Sequence, residues 1–186
     1  MKKIAIFASG NGSNFEAIAT AAQKGELDVK ITLLICDKPK ARVIERAKNH
    51  GIKVFSFHPK DYTTKSDYEH QILKALTESN TELIILAGYM RIIGETLLSA
   101  YENKIINIHP SLLPAFPGKN AIPRAFESGA TETGVTVHYV DAGIDTGQII
   151  SQHRVPISPN DTLQTLEAKI HQAEHELYIQ TLRRLL

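Results

Sequence analysis

Residues 4–15 read IAIFASGNGSNF and set the architecture that the rest of the chain extends. The apolar run 4–8 has the length of a buried strand, and it ends at a turn that contains Gly10 and Gly12. Beyond the turn, apolar side chains recur at the spacing of one helical face, at Phe15, Ile18, Ala19 and Ala22. The segment therefore predicts a strand, a tight glycine turn and a helix, which is the opening unit of an α/β protein.

Similar units follow along the first two thirds of the chain. Apolar runs predict strands at 29–36, 53–55, 83–87 and 104–108, and amphipathic spacing predicts helices at 41–49, around 68–76 and near 95–100. The run 83–87 is apolar at every position, as expected for a strand covered on both faces. This alternation predicts an α/β fold of three layers, with a mostly parallel sheet between helices on both faces.

The last third of the chain has a different pattern. Strands are predicted at 133–140 and 148–153, and the short loop 141–147 between them favours a hairpin-like excursion over another crossover. The sheet is therefore expected to be mixed at this end. Residues 161–185 predict one long C-terminal helix that is capped at Asp161 and Thr162, with its buried side at Leu163, Leu166, Ile170, Leu177 and Leu182.

Composition limits the functions that the chain can have. With 186 residues, 42% hydrophobic and 22% charged, the chain is expected to form a single domain, 1–186. Its formal net charge of +1 comes without a basic block, which disfavours nucleic acid as a partner. Cys36 is the single cysteine, and no apolar run is long enough for a signal peptide or a membrane span. We therefore expect a cytoplasmic protein that binds neither nucleic acid nor membranes.

The turn at residues 9–14, SGNGSN, is suited to bind a single phosphate. The helix that follows points free N–H groups and the positive end of its dipole at the turn. Phe15 stands where a dinucleotide-binding turn has its third glycine, which disfavours a dinucleotide-dependent oxidoreductase. The alternative is a plain turn in which Ser13 or Asn14 caps the helix.

Two polar side chains mark the end of the fifth predicted strand, where residues 107–114 read NIHPSLLP. Asn107 and His109 point to the same side, because side chains alternate along a strand. An amide donor and a titratable imidazole thus stand at the carboxyl end of a parallel strand, where open α/β sheets bind ligands. The alternative is that both satisfy local backbone groups. Asp145, in the loop 141–147, is on its own an ordinary turn residue.

Three segments together resemble the folate-dependent formyltransferase family: GNGSN at 10–14, NIHPSLLP at 107–114, and His138 followed by IDTG at 144–147. The phosphate loop and the FPG at 116–118 are similar to those of members that formylate glycinamide ribonucleotide. The resemblance covers essentially the whole chain, and NIHPSLLP is its most specific motif. It implies a single-domain, Rossmann-like formyltransferase fold, with phosphate binding in residues 1–100 and the catalytic and folate-binding half in residues 101–186.

The resemblance also assigns roles to individual residues. Three match the catalytic trio of the family: Asn107, His109 and Asp145. Four match its contacts to the acceptor nucleotide: Gly12, Ser13, Asn14 and Glu174. Nine match its folate contacts: Lys65, Met90, Arg91, Ile92, Ile93, Asn107, Ala142, Gly143 and Ile144. Residues 119–123 replace a histidine pair that some members carry, and His171 stands where some have glutamine, so no role is carried over to either place.

The implied reaction moves the formyl group of 10-formyltetrahydrofolate, a cosubstrate, to the amine of 5'-phosphoribosylglycinamide in de novo purine (IMP) biosynthesis. Asn107 would donate to the oxyanion, His109 would act as the acid, and Asp145 would hold His109 and favour its charged form. Direct transfer is expected, without a metal and without a covalent enzyme intermediate. The folate is expected between 90–93 and 142–145, two segments that should leave the same edge of the sheet. The partners are small molecules, and a monomer or weak homodimer is expected.

Two alternatives stay open within this interpretation. A methionyl-tRNA formyltransferase-like enzyme would share the trio, but the phosphate loop and the lack of a basic extension count against it. A non-catalytic nucleotide-binding module would share the sheet, but it would not need Asn107, His109 and Asp145 to meet in one cleft.

Overall fold

The computed structural model describes the whole chain, residues 1–186, as one sheet with helices on both faces. Its seven strands are β1 (Lys2–Ala8), β2 (Val29–Cys36), β3 (Val54–Ser56), β4 (Leu83–Leu86), β5 (Ile105–His109), β6 (Glu132–Tyr139) and β7 (Ile149–Pro156). Its six α-helices are α1 (Ser13–Gln23), α2 (Arg42–Asn49), α3 (Lys65–Glu78), α4 (Glu95–Ala100), α5 (Ala121–Glu127) and α6 (Leu163–Leu185). A short 3-10 turn, Pro59–Asp61, lies between β3 and α3.

The sheet has the strand order β3-β2-β1-β4-β5-β6-β7. Neighbouring strands from β3 to β5 pair in parallel. β6 is antiparallel to β5, and β7 is antiparallel to β6. The predicted mixed sheet is therefore confirmed. The parallel part explains the position of the helices, since parallel neighbours need crossover connections that run over a face of the sheet.

The alternation of side chains along β1 divides the core into two halves. Ile4, Ile6 and Ala8 pack on the face that α1, α2, α5 and α6 cover. Ala5 and Phe7 pack on the other face, which α3 and α4 cover. All of these side chains are fully buried. Each large one contributes about 1.5–3 kcal/mol relative to an exposed position, so both helix layers are firmly attached.

Tyr178 anchors α6 to the centre of the sheet. Its hydroxyl donates to the carbonyl oxygen of Leu86 at 2.7 Å and lies 3.2 Å from that of Ile106. Burial raises the pKa of this phenol, which therefore stays protonated and can donate. The predicted buried side of α6 is also observed: Leu166, Ile170, Leu177 and Leu182 are buried, and Leu163 is partly buried against the same cluster.

One helix, α5, was not predicted from the sequence. Pro123 lies in its first turn, where a missing N–H leaves no helical hydrogen bond unmade. Most other elements differ from the prediction only at their ends, and β5 extends to His109, so both polar residues of NIHPSLLP belong to the strand. None of the helices combines the length and the apolar composition needed to cross a bilayer.

Candidate active site

Asn107 and His109 project from β5 towards the face of the sheet that carries α3 and α4. Ile106 and Ile108, which alternate with them, pack into the opposite half of the core. On β6, His138 is paired directly with Asn107 and lies on the same face. Three polar side chains are therefore brought together on one face, of which the spacing along the strand predicts only Asn107 and His109.

Asp145 reaches this group from the loop that follows β6. Its Oδ2 atom accepts the N–H of Gly118 at 2.7 Å and lies 3.4 Å from Nδ1 of His109. The other ring nitrogen of His109, Nε2, donates to the carbonyl oxygen of Phe116 at 2.8 Å. Asp145 therefore lies against one ring nitrogen of His109 and the Phe116 carbonyl oxygen against the other, so the ring is held from both sides.

His138 stands between Asn107 and Asp145, and sequence reasoning gave it no role. Its Nδ1 donates to the carbonyl oxygen of Tyr139 at 2.8 Å, and its Nε2 accepts from Nδ2 of Asn107 at 3.3 Å. Burial lowers the pKa of His138, in agreement with a neutral ring. The 3.7 Å approach of Asp145 Oδ1 to Nε2 is therefore a contact between a neutral ring and an anion. Alternation along β6 could have indicated the face on which His138 lies, but its place opposite Asn107 comes from the register of β5 and β6.

This arrangement has the groups that an acyl transfer requires. The Nδ2 group of Asn107 carries two hydrogens, and His138 occupies only one of them. The second can point at a developing oxyanion. His109, held by Asp145 and by the Phe116 carbonyl, has the chemistry of a general acid. Because the backbone of Phe116 and Gly118 fixes both partners, the pair is organised before any substrate binds.

The turn before α1 packs its backbone closely against α2 and leaves the start of α1 without a side-chain cap. Gly12 has a left-handed conformation (φ 78°), and a Cβ there would lie 2.7 Å from the Cβ of Val43 in α2. No side chain caps α1, so the alternative of a plain turn capped by Ser13 or Asn14 is not observed. The first N–H groups of the helix are therefore free to donate to an anion.

Asn14, in the first turn of α1, and Glu174 are polar residues that the fold buries. Asn14 is 9% exposed, and its Oδ1 has no hydrogen-bond partner. Glu174 belongs to α6, which packs along α1. Its Oε2 lies 2.8 Å from Nδ1 of His171 and accepts from it, which raises the pKa of that histidine. Unpartnered or singly partnered buried polar groups of this kind are expected where a polar ligand completes the site.

The segment after β4, which we call the 90–94 loop, exposes apolar side chains and ties down its own backbone. Met90 is 66% and Ile92 56% exposed, whereas Ile93 is buried. The N–H of Met90 donates to Oγ of Ser9 at 2.8 Å. Two charged side chains are engaged by the protein itself: Arg91 pairs with the buried Asp37 at 3.0 Å, and Lys65 donates to the Ile92 carbonyl oxygen at 2.8 Å.

The loop 141–147 does not leave the sheet where the sequence predicts. β6 runs antiparallel to β5, so the two loops leave opposite edges of the sheet, and the expectation of a common edge is wrong. The second loop turns back and brings Asp145 to His109. Tyr89 and Val140, which precede the two loops, pack against the same half of the core. Both loops therefore lie over one face, with Ala142, Gly143 and Ile144 exposed.

The His, Cys, Asp and Glu side chains nowhere form a group of three or more that could hold a metal ion.

Comparison with known proteins places this geometry in a family. The formyl transferase family model matches residues 2–182. A phosphoribosylglycinamide formyltransferase of Bacillus subtilis (strain 168) is 55% identical over 186 residues, which is 100% of this chain and 95% of the relative.

Two solved structures extend the likeness to three dimensions. A glycinamide ribonucleotide transformylase from Geobacillus kaustophilus superposes with a TM-score of 0.98 at 57% identity, covering 100% of this chain and 99% of the other. A phosphoribosylglycinamide formyltransferase from Bacillus halodurans superposes with a TM-score of 0.97 at 52% identity, covering 100% and 95%. The family model, the sequence relative and the solved structures agree over the whole length, and the chain therefore belongs to the formyl transferase family.

Proposed function

We propose that this protein transfers the formyl group of 10-formyltetrahydrofolate to the amine of 5'-phosphoribosylglycinamide. The products are formylglycinamide ribonucleotide and tetrahydrofolate, and the reaction is a step of de novo purine (IMP) biosynthesis. The names of the full-length relatives support this acceptor. The observation that carries the proposal is the convergence of Asn107, His109 and Asp145, from a strand and a distant loop, on one cleft.

The trio has a separate task for each residue. When the acceptor amine attacks the formyl carbon, negative charge develops on the formyl oxygen, and Asn107 Nδ2 donates to it. As the C–N bond to the folate breaks, His109 supplies the proton that the leaving nitrogen needs. Asp145 lies against Nδ1 of His109 and orients the ring. The attacking amine releases one proton, so the net change is one formyl group exchanged for one hydrogen.

No side chain in the cleft is arranged as a nucleophile, which favours direct transfer. Cys36 is fully buried, and its Sγ donates to the carbonyl oxygen of Lys38. Ser111 is also fully buried, and its hydroxyl donates to the carbonyl oxygen of Ala115 at 2.5 Å. Neither residue has a base within hydrogen-bond reach that would activate it.

The phosphate of the acceptor fits the start of α1. The free N–H groups that follow Gly12 and the helix dipole attract an anion there, and Ser13 and Asn14 line the same place. Glu174 is suited to accept hydrogen bonds from ribose hydroxyls, because it is buried and has one known partner, His171. The amine of the acceptor would then extend towards Asn107 and His109.

The folate fits between the 90–94 loop and the loop 141–147. Exposed Met90, Ile92 and Ile144 supply apolar contacts for a flat ring, which is the usual character of a ligand pocket. The backbone groups of the 90–94 loop supply the polar contacts, because the side chains of Arg91 and Lys65 are already engaged by the protein. Ile93 packs under the loop, and Ala142 and Gly143 complete the opposite wall.

The decisive experiment measures formyl transfer by the purified protein with 10-formyltetrahydrofolate as donor. Phosphoribosylglycinamide, initiator methionyl-tRNA and buffer alone are compared as acceptors, and the formylated product is weighed by mass spectrometry. Transfer to phosphoribosylglycinamide alone supports the proposal. Transfer to the tRNA instead would identify the methionyl-tRNA alternative, and absence of any turnover would identify a non-catalytic module.

The proposed reaction also suggests the partners, the location and the state of association of the protein. We propose small-molecule substrates, a cytoplasmic location, and a monomer or weak homodimer with no nucleic-acid or membrane partner. The lone, buried cysteine is in keeping with a reducing compartment. Light scattering after size-exclusion chromatography, at several protein concentrations, tests the state of association.

A further inference from the structure

Two side chains of α3, one turn apart, fasten the 90–94 loop. Lys65 Nζ donates to the carbonyl oxygen of Ile92 at 2.8 Å. Glu69 Oε2 accepts the backbone N–H of Gly94 at 2.9 Å. Since the N–H of Met90 is held from the strand side, the loop backbone is fixed at both of its ends.

Glu69 is a carboxylate on the buried side of its helix. It is only 2% exposed and lies among Tyr68 and Ile72, which belong to the hydrophobic core. Burial raises the pKa of Glu69, and the hydrogen bond from Gly94 opposes that shift. Burying a carboxylate is costly unless it makes hydrogen bonds, and the chemistry at Asn107 and His109 makes no use of this one. The hydrogen bond from the Gly94 N–H is therefore the interaction that explains why a carboxylate is buried at residue 69.

Gly94 is a glycine because of this close approach. Its backbone (φ −90°, ψ 176°) is open to any residue, so conformation does not require glycine. A Cβ at this position would collide with Oε1 of Glu69 and come within 3.0 Å of Cδ of Lys65. The loop and α3 are thus packed directly against each other.

We propose that Glu69 is a positioning residue of the donor site, an inference that rests on the proposed function. Through the Gly94 N–H it holds the 90–94 loop so that the backbone groups of the loop meet the folate ring at fixed positions. Lys65 supports the same segment through the Ile92 carbonyl oxygen. Neither side chain needs to touch the donor, because both act through the loop.

The expected effect is specific to the donor. Without the hydrogen bond to Glu69, the 90–94 loop must be ordered when the folate binds. The conformational entropy lost in this ordering weakens donor binding. We expect Glu69→Ala to raise the donor KM, and the Kd of tetrahydrofolate, about 10- to 100-fold, the range of one hydrogen bond to a charged group. The acceptor KM is expected to stay near that of the wild type. Glu69→Gln keeps an oxygen acceptor and should recover most of the donor affinity.

Gly94→Ala tests the same contact from the loop side. The added Cβ pushes the loop away from Glu69 without changing the carboxylate, so the donor KM should rise again. In the double variant the space left by Glu69→Ala accommodates the new methyl group. The two effects should therefore combine to less than their product, as for residues in direct contact.

Amide exchange provides a measurement that does not depend on activity. In the ligand-free protein, the Gly94 N–H should exchange faster in Glu69→Ala than in the wild type, and tetrahydrofolate binding is measured by calorimetry on the same samples. Glu78→Ala is the matched control, since Glu78 lies exposed near the end of the same helix. It should leave exchange at Gly94, tetrahydrofolate binding and both KM values unchanged.

Two results would overturn the proposal. One is unchanged Gly94 exchange and unchanged tetrahydrofolate binding in a folded Glu69→Ala protein. The other is an equal rise in both KM values together with a lower Tm, since this would reveal a purely structural residue. Failure of the proposed function looks different, because the wild type itself would then transfer no formyl group while exchange at Gly94 still responds to Glu69.

Discussion

The Nδ1 atom of His109 lies 3.4 Å from Oδ2 of Asp145, and each partner is held by a different stretch of backbone. Asp145 is held by the Gly118 N–H, and His109 by the Phe116 carbonyl oxygen. Asp145 also has a left-handed backbone conformation (φ 54°), which aspartate tolerates better than most residues. Because the backbone holds both side chains, the pair needs little rearrangement during the reaction. Groups that are fixed in this way stabilise the charge of a transition state effectively.

Asn14→Ala is expected to weaken acceptor binding with little effect on the chemical step. Its buried Oδ1 has no partner in the protein and can accept from a hydroxyl or N–H of the acceptor, while its Nδ2 can donate to a phosphate oxygen. We expect the acceptor KM to rise about tenfold or more, as for the loss of one hydrogen bond to a charged ligand, while kcat falls less. Initial rates at varied acceptor and saturating donor provide the test. Equal losses in kcat and kcat/KM, with acceptor KM intact, would contradict it.

Arg91→Ala is expected to change stability more clearly than donor binding. The guanidinium pairs with Asp37, which is 2% exposed, so its removal leaves a buried carboxylate with only the Ser9 hydroxyl as partner. Stability should fall by about 1–2 kcal/mol, and the donor KM should rise only a few-fold because backbone groups contact the ring. Thermal unfolding and donor titration are measured in parallel.

A second substitution separates the two contributions of Arg91. Adding Asp37→Asn to Arg91→Ala removes the stranded charge, so Tm should recover while the donor KM does not change further. A large rise in the donor KM, well beyond a few-fold, would instead mean that the guanidinium contacts the folate.

The sheet was predictable because its signals are local. Residues 83–87 are apolar throughout, a pattern typical of a strand that is buried on both faces. The structure shows that β4 is buried along its whole length. The helix α5 was missed because Pro123 suggests a loop, although a proline in the first helical turn breaks no hydrogen bond. The path of the loop 141–147 was misjudged, because the direction of β6 is a property of strand pairing and not of local pattern.

The candidate site was predictable only in part, for the same reason. Asn107 and His109 share a face by alternation alone, which the sequence displays. The place of His138 depends on the register that pairs it with Asn107 across two strands. The hydrogen bond of Glu69 to Gly94 depends on how closely α3 packs against a loop, and no local pattern encodes that distance.

His171→Ala is expected to destabilise the protein more at low pH than at high pH. The hydrogen bond to Glu174 is the main cause that raises the pKa of His171 above 6.5, and Glu167 adds to it. The contribution of the charged pair is therefore complete below the unfolded pKa and is lost as pH rises through the folded pKa. The Tm difference from wild type should be largest below the ordinary histidine pKa of about 6.5 and should shrink as pH rises through the raised pKa of His171.

His175, one turn further along α6, is the matched control for His171. Burial lowers its pKa, so the unfolded chain takes up the proton more readily. The stabilising contribution of neutral His175 is therefore present at high pH and lost at low pH. His175→Ala should accordingly show the opposite trend in Tm difference. The same trend for both variants would refute the assignment to His171 and Glu174.

Asp145→Asn is expected to cost about 10²–10³ in kcat, the size of effect seen when one preorganised group is removed from an oxyanion site. If Asp145 only completed a turn, asparagine would serve equally well there, and the change would be nearly silent. The substitution preserves size and the left-handed backbone but removes the carboxylate charge that faces Nδ1 of His109, the ring proposed to transfer the proton. Asn107→Ala and His109→Ala should cost as much.

The three residues act on one transition state, so their losses should not multiply. Asp145→Asn combined with His109→Ala should be only slightly slower than His109→Ala alone, because the carboxylate works through that ring. Asp141→Asn is the control, since it makes the same change in the same loop, and the Asp141 carboxylate accepts hydrogen bonds from the Gly143 N–H and the Thr146 hydroxyl and not from His109. Steady-state kcat of all four proteins, each first shown to be folded by circular dichroism, completes the test. A folded Asp145→Asn enzyme with kcat within a few-fold of wild type would remove Asp145 from the mechanism, and independent, multiplying losses would mean that it does not act through His109.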